Sequence, residues 1–278
     1  MIDLATIDYA ALDCPEVLNF LFHPRPDWGP ALGSLDARDI FIPVAPAVTI
    51  GARLHPAAPE APNILFFHGN GEIVSDYDEL GAIYRSMGIN FLPVDYRGYG
   101  RSSGSPSVTH MMRDCHRIFD HLRQWLKENG YWGPVIVMGR SLGSASAVAL
   151  AAAYPKAVAG LIIESGFAHT EPLLRLLGVN IEALGLTSQP MLQNIENMRQ
   201  VTCPTLVIHA ENDHIIPFTD GENLFIECPI ENKRLLKIPH ADHNNIMAVG
   251  FEPYMASIRE LMDGHYFAAA ETRNDCPG

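Results

Sequence analysis

A serine with a glycine two positions to either side, Gly139-Arg140-Ser141-Leu142-Gly143, stands between the apolar run Pro134-Val135-Ile136-Val137-Met138 and a helix-forming stretch from Ala145 to Ala153. Strand, sharp turn and helix in that order lift a serine out of the backbone with its Oγ exposed, and the turn is so tight that only small residues fit around it. A serine hydroxyl attacks a carbonyl only when a base takes its proton. The pattern therefore demands a histidine, a carboxylate to orient that histidine, and two N–H groups to hold the oxyanion.

The chain supplies candidates for each. The apolar strand Pro204-Thr205-Leu206-Val207-Ile208 runs into a loop carrying Asp213, and Leu235-Leu236-Lys237-Ile238 runs into Pro239-His240-Ala241-Asp242-His243-Asn244. Both loops leave the carboxyl end of a strand, where an open parallel sheet presents its ligand-binding groups. Asp213 is the expected orienting acid and His243 the expected base. Glu164, beyond another apolar strand, is the rival acid, and Asp213 is preferred on loop position and order. The oxyanion donors are expected to be the N–H of Leu142, next to the serine, and that of Asn70 in His68-Gly69-Asn70-Gly71, where glycines let the main chain approach a substrate oxygen.

Taken together, His68-Gly69-Asn70-Gly71, Asp95-Tyr96-Arg97-Gly98-Tyr99-Gly100-Arg101-Ser102-Ser103-Gly104-Ser105-Pro106, the serine turn, Asp213 and His243-Asn244 resemble the α/β-hydrolase superfamily, across roughly residues 36 to 262. The order Ser, Asp, His is the one expected for its triad. The resemblance is to the subgroup of serine-aminopeptidase-like hydrolases and α/β-hydrolase-domain depalmitoylases. It implies a triad of Ser141, Asp213 and His243 and hydrolysis of an ester, thioester or amide. The depalmitoylases have an acylated, cysteine-rich N-terminus, whereas the first 35 residues here hold only Cys14.

Composition narrows the partners. With 19 basic and 32 acidic residues among 278, the net charge is −13, unsuited to phosphate backbones or anionic lipid. Nucleic acid is not an expected partner; a small acyl substrate is. The five cysteines (Cys14, Cys115, Cys203, Cys228, Cys276) are scattered without a C-x-x-C pair, which reads as reduced thiols in a cytoplasmic protein. The N-terminus lacks the basic region of a signal peptide, and no apolar stretch is long enough to span a bilayer. Although His240 and His243 lie close in sequence, no H-E-x-x-H or similar set accompanies them, so no metal is expected and the chemistry needs no cofactor. His110, His116 and His121 are expected on one exposed helix without a function. The loop Gly98 to Gly104 lacks the spacing of a dinucleotide motif, and Asp95 and Arg97 are expected to hold it by hydrogen bonds.

Strands near 38–43, 47–54, 63–67, 89–94, 134–138, 158–164, 204–209 and 233–238 alternate with helices near 75–87, 107–129, 142–153, 219–227 and 246–263. That rhythm predicts an α/β fold with a mostly parallel sheet and helices on both faces. One domain over residues 1–264 is expected, comprising a leader (1–35) and a small lid insertion (165–201), followed by a disordered tail (265–278). In the lid, Leu173, Leu174, Leu176 and Leu177 are candidates to line an acyl pocket above the serine; the alternative is that they pack the lid onto the core. The reading is a serine hydrolase of a carboxylic ester or thioester. An aminopeptidase or amidase with the same triad, and a non-catalytic receptor on the same fold, remain open, as does the oligomeric state.

Overall fold

The computed structural model describes residues 2–29 and 37–263. Its centre is built from strands buried on both faces. In β3 (Asn63–Phe67), Ile64 and Phe66 enter one apolar core while Leu65 and Phe67 enter the other. In β5 (Val135–Arg140), Val137 faces the first of these pairs' opposite side and Ile136 and Met138 share the core of Ile64. Side chains alternate across a strand, so a sheet covered on both sides must be apolar at successive positions, and this is why these segments read as continuous apolar runs.

The other strands are β1 (Arg38–Ala45), β2 (Val48–Leu54), β4 (Asn90–Val94), β6 (Gly160–Glu164), β7 (Thr205–Ala210) and β8 (Lys233–Ile238). Among the described residues they form one open sheet in the order β1-β2-β4-β3-β5-β6-β7-β8. β1 and β2 pair antiparallel, β2 meets β4 antiparallel, and every pairing from β4 to β8 is parallel. The helices are α1 (Pro15–Leu21), α2 (Asp78–Ser86), α3 (Val108–Glu128), α4 (Ser144–Ala153), α5 (Thr170–Leu176), α6 (Asn194–Met198), α7 (Phe218–Glu227) and α8 (Ile246–Met262). Tyr84 of α2 and Tyr254 and Ile258 of α8 pack on one face of the sheet; Ile118 and Phe119 of α3 and Val148 and Leu150 of α4 pack on the other. The strand order reverses at β3, with β4 to one side and β5 to the other, which opens a crevice at the carboxyl ends of β3 and β5.

The expected lid interval, 165–201, carries α5, a 3-10 turn at Leu186–Ser188, and α6. The leader is tied to the body of the fold. Leu12, Val17 and Leu21 are buried, and Asp13 Oδ1 accepts the N–H groups of Val108 and Thr109 in the first turn of α3, where no intrahelical acceptor exists. The part of the leader from 30 to 35 and the tail from 265 to 278 lie outside the described residues. The described residues include no helix long and apolar enough to cross a membrane.

The histidines of α3 differ from expectation. The helix is amphipathic, and His116 falls on its inner face between Met112 and Phe119, 4% exposed and against the Tyr154 ring. Burial pushes its pKa down from 6.5 to about 4, against a smaller opposing pull from Asp120. In the unfolded chain the ring takes a proton near pH 6.5. Neutral His116 therefore favours the fold fully above that pH, and the contribution is lost as pH falls toward 4. Its loss amounts to up to about 3 kcal/mol. Urea unfolding of wild type and His116→Phe at pH 7 and pH 4.5 should show a smaller acid loss in the variant; equal losses would assign the acid sensitivity to other groups.

Candidate active site

The turn after β5 places Ser141 at φ +50°, a left-handed conformation that costs a non-glycine residue about 1–2 kcal/mol. The surroundings enforce it. A Cβ on Gly139 would lie 2.3 Å from the Gly143 carbonyl oxygen, and one on Gly143 would lie 2.1 Å from that of Phe67. The glycines are thus required because the elbow packs against itself and against the end of β3. Ser144 Oγ donates to the Ser141 carbonyl at 2.6 Å and fastens the turn to the start of α4.

Two loops, from the carboxyl ends of β7 and β8, converge on this serine. His243 Nε2 lies 3.1 Å from Ser141 Oγ, and His243 Nδ1 lies 2.7 Å from Asp213 Oδ2. The other oxygen, Asp213 Oδ1, accepts the N–H groups of Ile215 at 3.0 Å and Ile216 at 2.8 Å. Burial works to raise the Asp213 pKa, but the His243 hydrogen bond and charge and the two backbone N–H groups outweigh it, so the carboxyl is held below its ordinary range. All three side chains belong to buried residues. Glu164 faces elsewhere: Oε1 accepts from Arg140 Nε at 3.0 Å and Oε2 accepts the Tyr254 hydroxyl. His240 is exposed. No group of three or more His, Cys, Asp or Glu side chains among the described residues could hold a metal ion.

Leu142 lies in the 3-10 turn Ser141–Gly143 that leads directly into α4, where the first N–H groups of a helix point outward without intrahelical acceptors. Asn70 and Leu142 both line the cleft that also holds Ser141 and His243. The Asn70 side chain is engaged with the leader and with Tyr99. Its Oδ1 accepts the His23 N–H at 2.7 Å and the Tyr99 hydroxyl at 2.9 Å, and its Nδ2 donates to the Phe20 carbonyl at 3.2 Å.

The cleft has a volume of about 280 Å³. Of the four leucines proposed for it, Leu173 and Leu177 reach it; Leu174 is fully buried in the core and Leu176 is 55% exposed. The difference is angular: α5 presents one face to the cleft, and a residue 100° around the helix turns away from it. Sequence reasoning missed the other apolar walls, Phe20 and Leu21 of α1 and the pair Ile215-Ile216. The isoleucines carried a readable signal, two β-branched apolar residues two and three positions after Asp213 in an otherwise polar loop. The leader carried none, because only the tertiary fold lays α1 across the cleft. Glu72 and Arg140 were missed as well. Asp95 and Arg97 hold their loop as expected: Asp95 Oδ2 accepts the Arg101 N–H at 3.4 Å, and Arg97 pairs with Asp114 through two hydrogen bonds of 2.6 and 2.9 Å.

The protein-family profile described as "Serine aminopeptidase, S33" matches residues 58–194. The chain is 33% identical over 199 residues to the lysophosphatidylserine lipase ABHD12 of Xenopus tropicalis, covering 64% of this chain and 50% of that one. It therefore spans about half the length of the curated lysophosphatidylserine lipases it matches. An uncharacterized protein of Mycobacterium tuberculosis is 29% identical over 281 residues, 93% of this chain and 94% of that one. In three dimensions the Pyrococcus furiosus esterase Pf2001 matches with a TM-score of 0.71 at 16% identity, over 88% of this chain and 99% of that one, a likeness of fold. With its mostly parallel eight-stranded sheet and the serine turn between β5 and α4, the chain belongs to the α/β-hydrolase superfamily.

Proposed function

We propose that this protein is a serine hydrolase that cleaves a carboxylic ester or thioester through an acyl-enzyme. The observation that carries the reading is the unbroken chain Ser141 Oγ, His243, Asp213, with contacts of 3.1 and 2.7 Å. His243 Nε2 takes the Ser141 proton as Oγ attacks the carbonyl carbon. The oxyanion that forms is stabilised by the N–H groups of Leu142 and Asn70. His243 then hands the proton to the leaving group, and a water activated by the same imidazole hydrolyses the acyl-enzyme. Asp213, kept ionised by its neighbours, holds the proton of His243 on Nδ1. A fluorophosphonate should modify Ser141 and no other serine, as mapped by peptide mass spectrometry; a wild type that never labels would leave the non-catalytic reading in its place.

An ester fits the cleft better than a peptide N-terminus. An aminopeptidase needs a carboxylate free to receive the substrate's ammonium group, and Glu72, the carboxylate among the lining residues, is already taken by Arg140, the Tyr77 hydroxyl and the Gly69 N–H. The kinship with a lysophosphatidylserine lipase also supports an acyl ester as the bond cleaved.

The apolar walls set the acyl length. Each methylene buried is worth about 0.8 kcal/mol, or about fourfold in kcat/KM. A cleft of about 280 Å³ is at the small end for a ligand site, so the gain should end at medium chains. Across p-nitrophenyl acetate, butyrate, hexanoate, octanoate and palmitate, kcat/KM should rise to hexanoate or octanoate and then fall. Phe20→Ala and Leu173→Ala should cost about tenfold on octanoate and less than about twofold on acetate. A flat profile untouched by either substitution would remove the acyl pocket, and faster cleavage of aminoacyl p-nitroanilides would reassign the enzyme to amides.

A further inference from the structure

Arg140, the residue before the serine, has a largely covered guanidinium, its side chain 12% exposed, spread over three partners. Its Nη1 pairs with Glu72, its Nε donates to Glu164 Oε1 at 3.0 Å, and its Nη2 donates to the main-chain carbonyl of His243 at 2.8 Å. Glu72 in turn accepts the Gly69 N–H at 2.6 Å and the Tyr77 hydroxyl at 2.6 Å, which fixes the loop containing Asn70. Contact there is close enough that a Cβ on Gly69 would lie 2.8 Å from both Arg140 Nη1 and Glu72 Oε2. On the far side, Tyr254 of α8 donates to Glu164. The Asp213 loop stands outside this network, held by the Ile215 and Ile216 N–H groups.

We propose that Arg140 is a positioning residue: one guanidinium sets the serine turn, the Asn70 loop and the His243 loop in a common register, with Glu72 as its link to the Asn70 loop. The proposal rests on the hydrolase reading above and concerns the same site. A guanidinium suits the task because its planar fork donates in three fixed directions at once, whereas an ammonium is a point donor on a flexible stem and cannot span these partners together. The pairing also keeps Glu72 ionised. Burial works to raise the Glu72 pKa, yet Arg140, Tyr77, His68 and the Gly69 N–H bring it below the ordinary carboxylate range. Without the cation, Glu72 and the buried Glu164 would lose their shared counter-charge, and the His243 carbonyl would lose its donor.

Arg140→Lys and Glu72→Gln separate positioning from mere support when turnover is expressed per active site, counted by labelling to completion with a fluorophosphonate. In Arg140→Lys, kcat per labelled site should fall about 10²-fold, as expected when reacting groups shift by about 1 Å. KM should stay within roughly threefold. Glu72→Gln keeps an acceptor for Gly69 but not the charge, and should lose about tenfold in kcat per site. A structural role alone would reduce the number of labelled sites and leave kcat per site within about threefold of wild type, and that result in both variants would overturn the proposal. If Arg140→Lys does not fold, Glu72→Gln decides by the same criterion. A wild type that fails to label at Ser141 is a different result, which sinks the hydrolase reading and this proposal with it.

Discussion

Ser141→Ala should lower kcat/KM for the best p-nitrophenyl ester by about 10³ to 10⁶ and abolish fluorophosphonate labelling, with the fold intact. The fold should survive because what shapes the turn is backbone. Gly139 and Gly143 remain packed against Gly143 and Phe67, and Ser144 Oγ still holds the carbonyl of residue 141. Alanine carries a Cβ as serine does, so the left-handed φ costs it about the same. Residual turnover above the uncatalysed rate is expected from the oxyanion donors and binding alone. The other buried serines among the described residues, Ser107, Ser144, Ser146, Ser165 and Ser257, make no hydrogen bond to His243 and cannot substitute. Labelling or near-normal turnover in the alanine variant would place the nucleophile elsewhere.

Asp213→Asn should lower kcat by up to about 10⁴ while leaving the melting temperature nearly unchanged. The reason lies in the two N–H groups behind the carboxylate. Ile215 and Ile216 both donate to Oδ1, so an asparagine must keep its carbonyl oxygen there and turn its amide NH₂ toward His243 Nδ1. Nδ1 then has to accept, the imidazole proton moves to Nε2, and Ser141 faces an N–H where it needs a base. Asp213→Ala would lose activity and stability together, because the N–H groups are left without an acceptor. His243→Ala should match the asparagine variant in kcat, and His240→Ala should be nearly silent, since its exposed ring lies outside the cleft. Near-normal turnover in Asp213→Asn with a collapse in Glu164→Gln would move the acid to Glu164. The present geometry predicts otherwise for Glu164→Gln: a milder loss, from disturbing Arg140.

The strands, helices and serine turn were legible in the chain because their causes are local. A strand covered on both faces must be apolar at consecutive positions, as Ile64 to Phe67 and Val135 to Met138 are, and a strand-to-helix turn this tight needs Gly139 and Gly143 wherever it occurs. Strand-helix alternation also implies that the loops at the carboxyl ends lie on one side of the sheet, which made Asp213 and His243 candidates before any distance was measured. His116 could have been placed correctly, since it follows Met112 by four positions on the apolar stripe of α3. The lid leucines could not. Leu173, Leu174, Leu176 and Leu177 look alike in sequence, and only the rotation of α5 against the core sends Leu173 and Leu177 to the cleft and Leu176 to solvent.

What the tertiary structure alone decided are the contacts between segments far apart in the chain. Arg140 meets Glu72 across 68 positions and the His243 carbonyl across 103, and Asn70 meets His23 across 47. No periodicity or turn signal encodes such pairs. They follow from the sheet order, which sets β3 beside β5 and carries the loops after β7 and β8 back over the same edge, and from the path of the leader, whose packing against α3 lays Phe20 and Leu21 along the cleft. Short-range sterics and periodicity thus determined which elements form and which residues are candidates to react, while long-range packing determined which charged groups hold them and which apolar groups line the cleft beside Ser141.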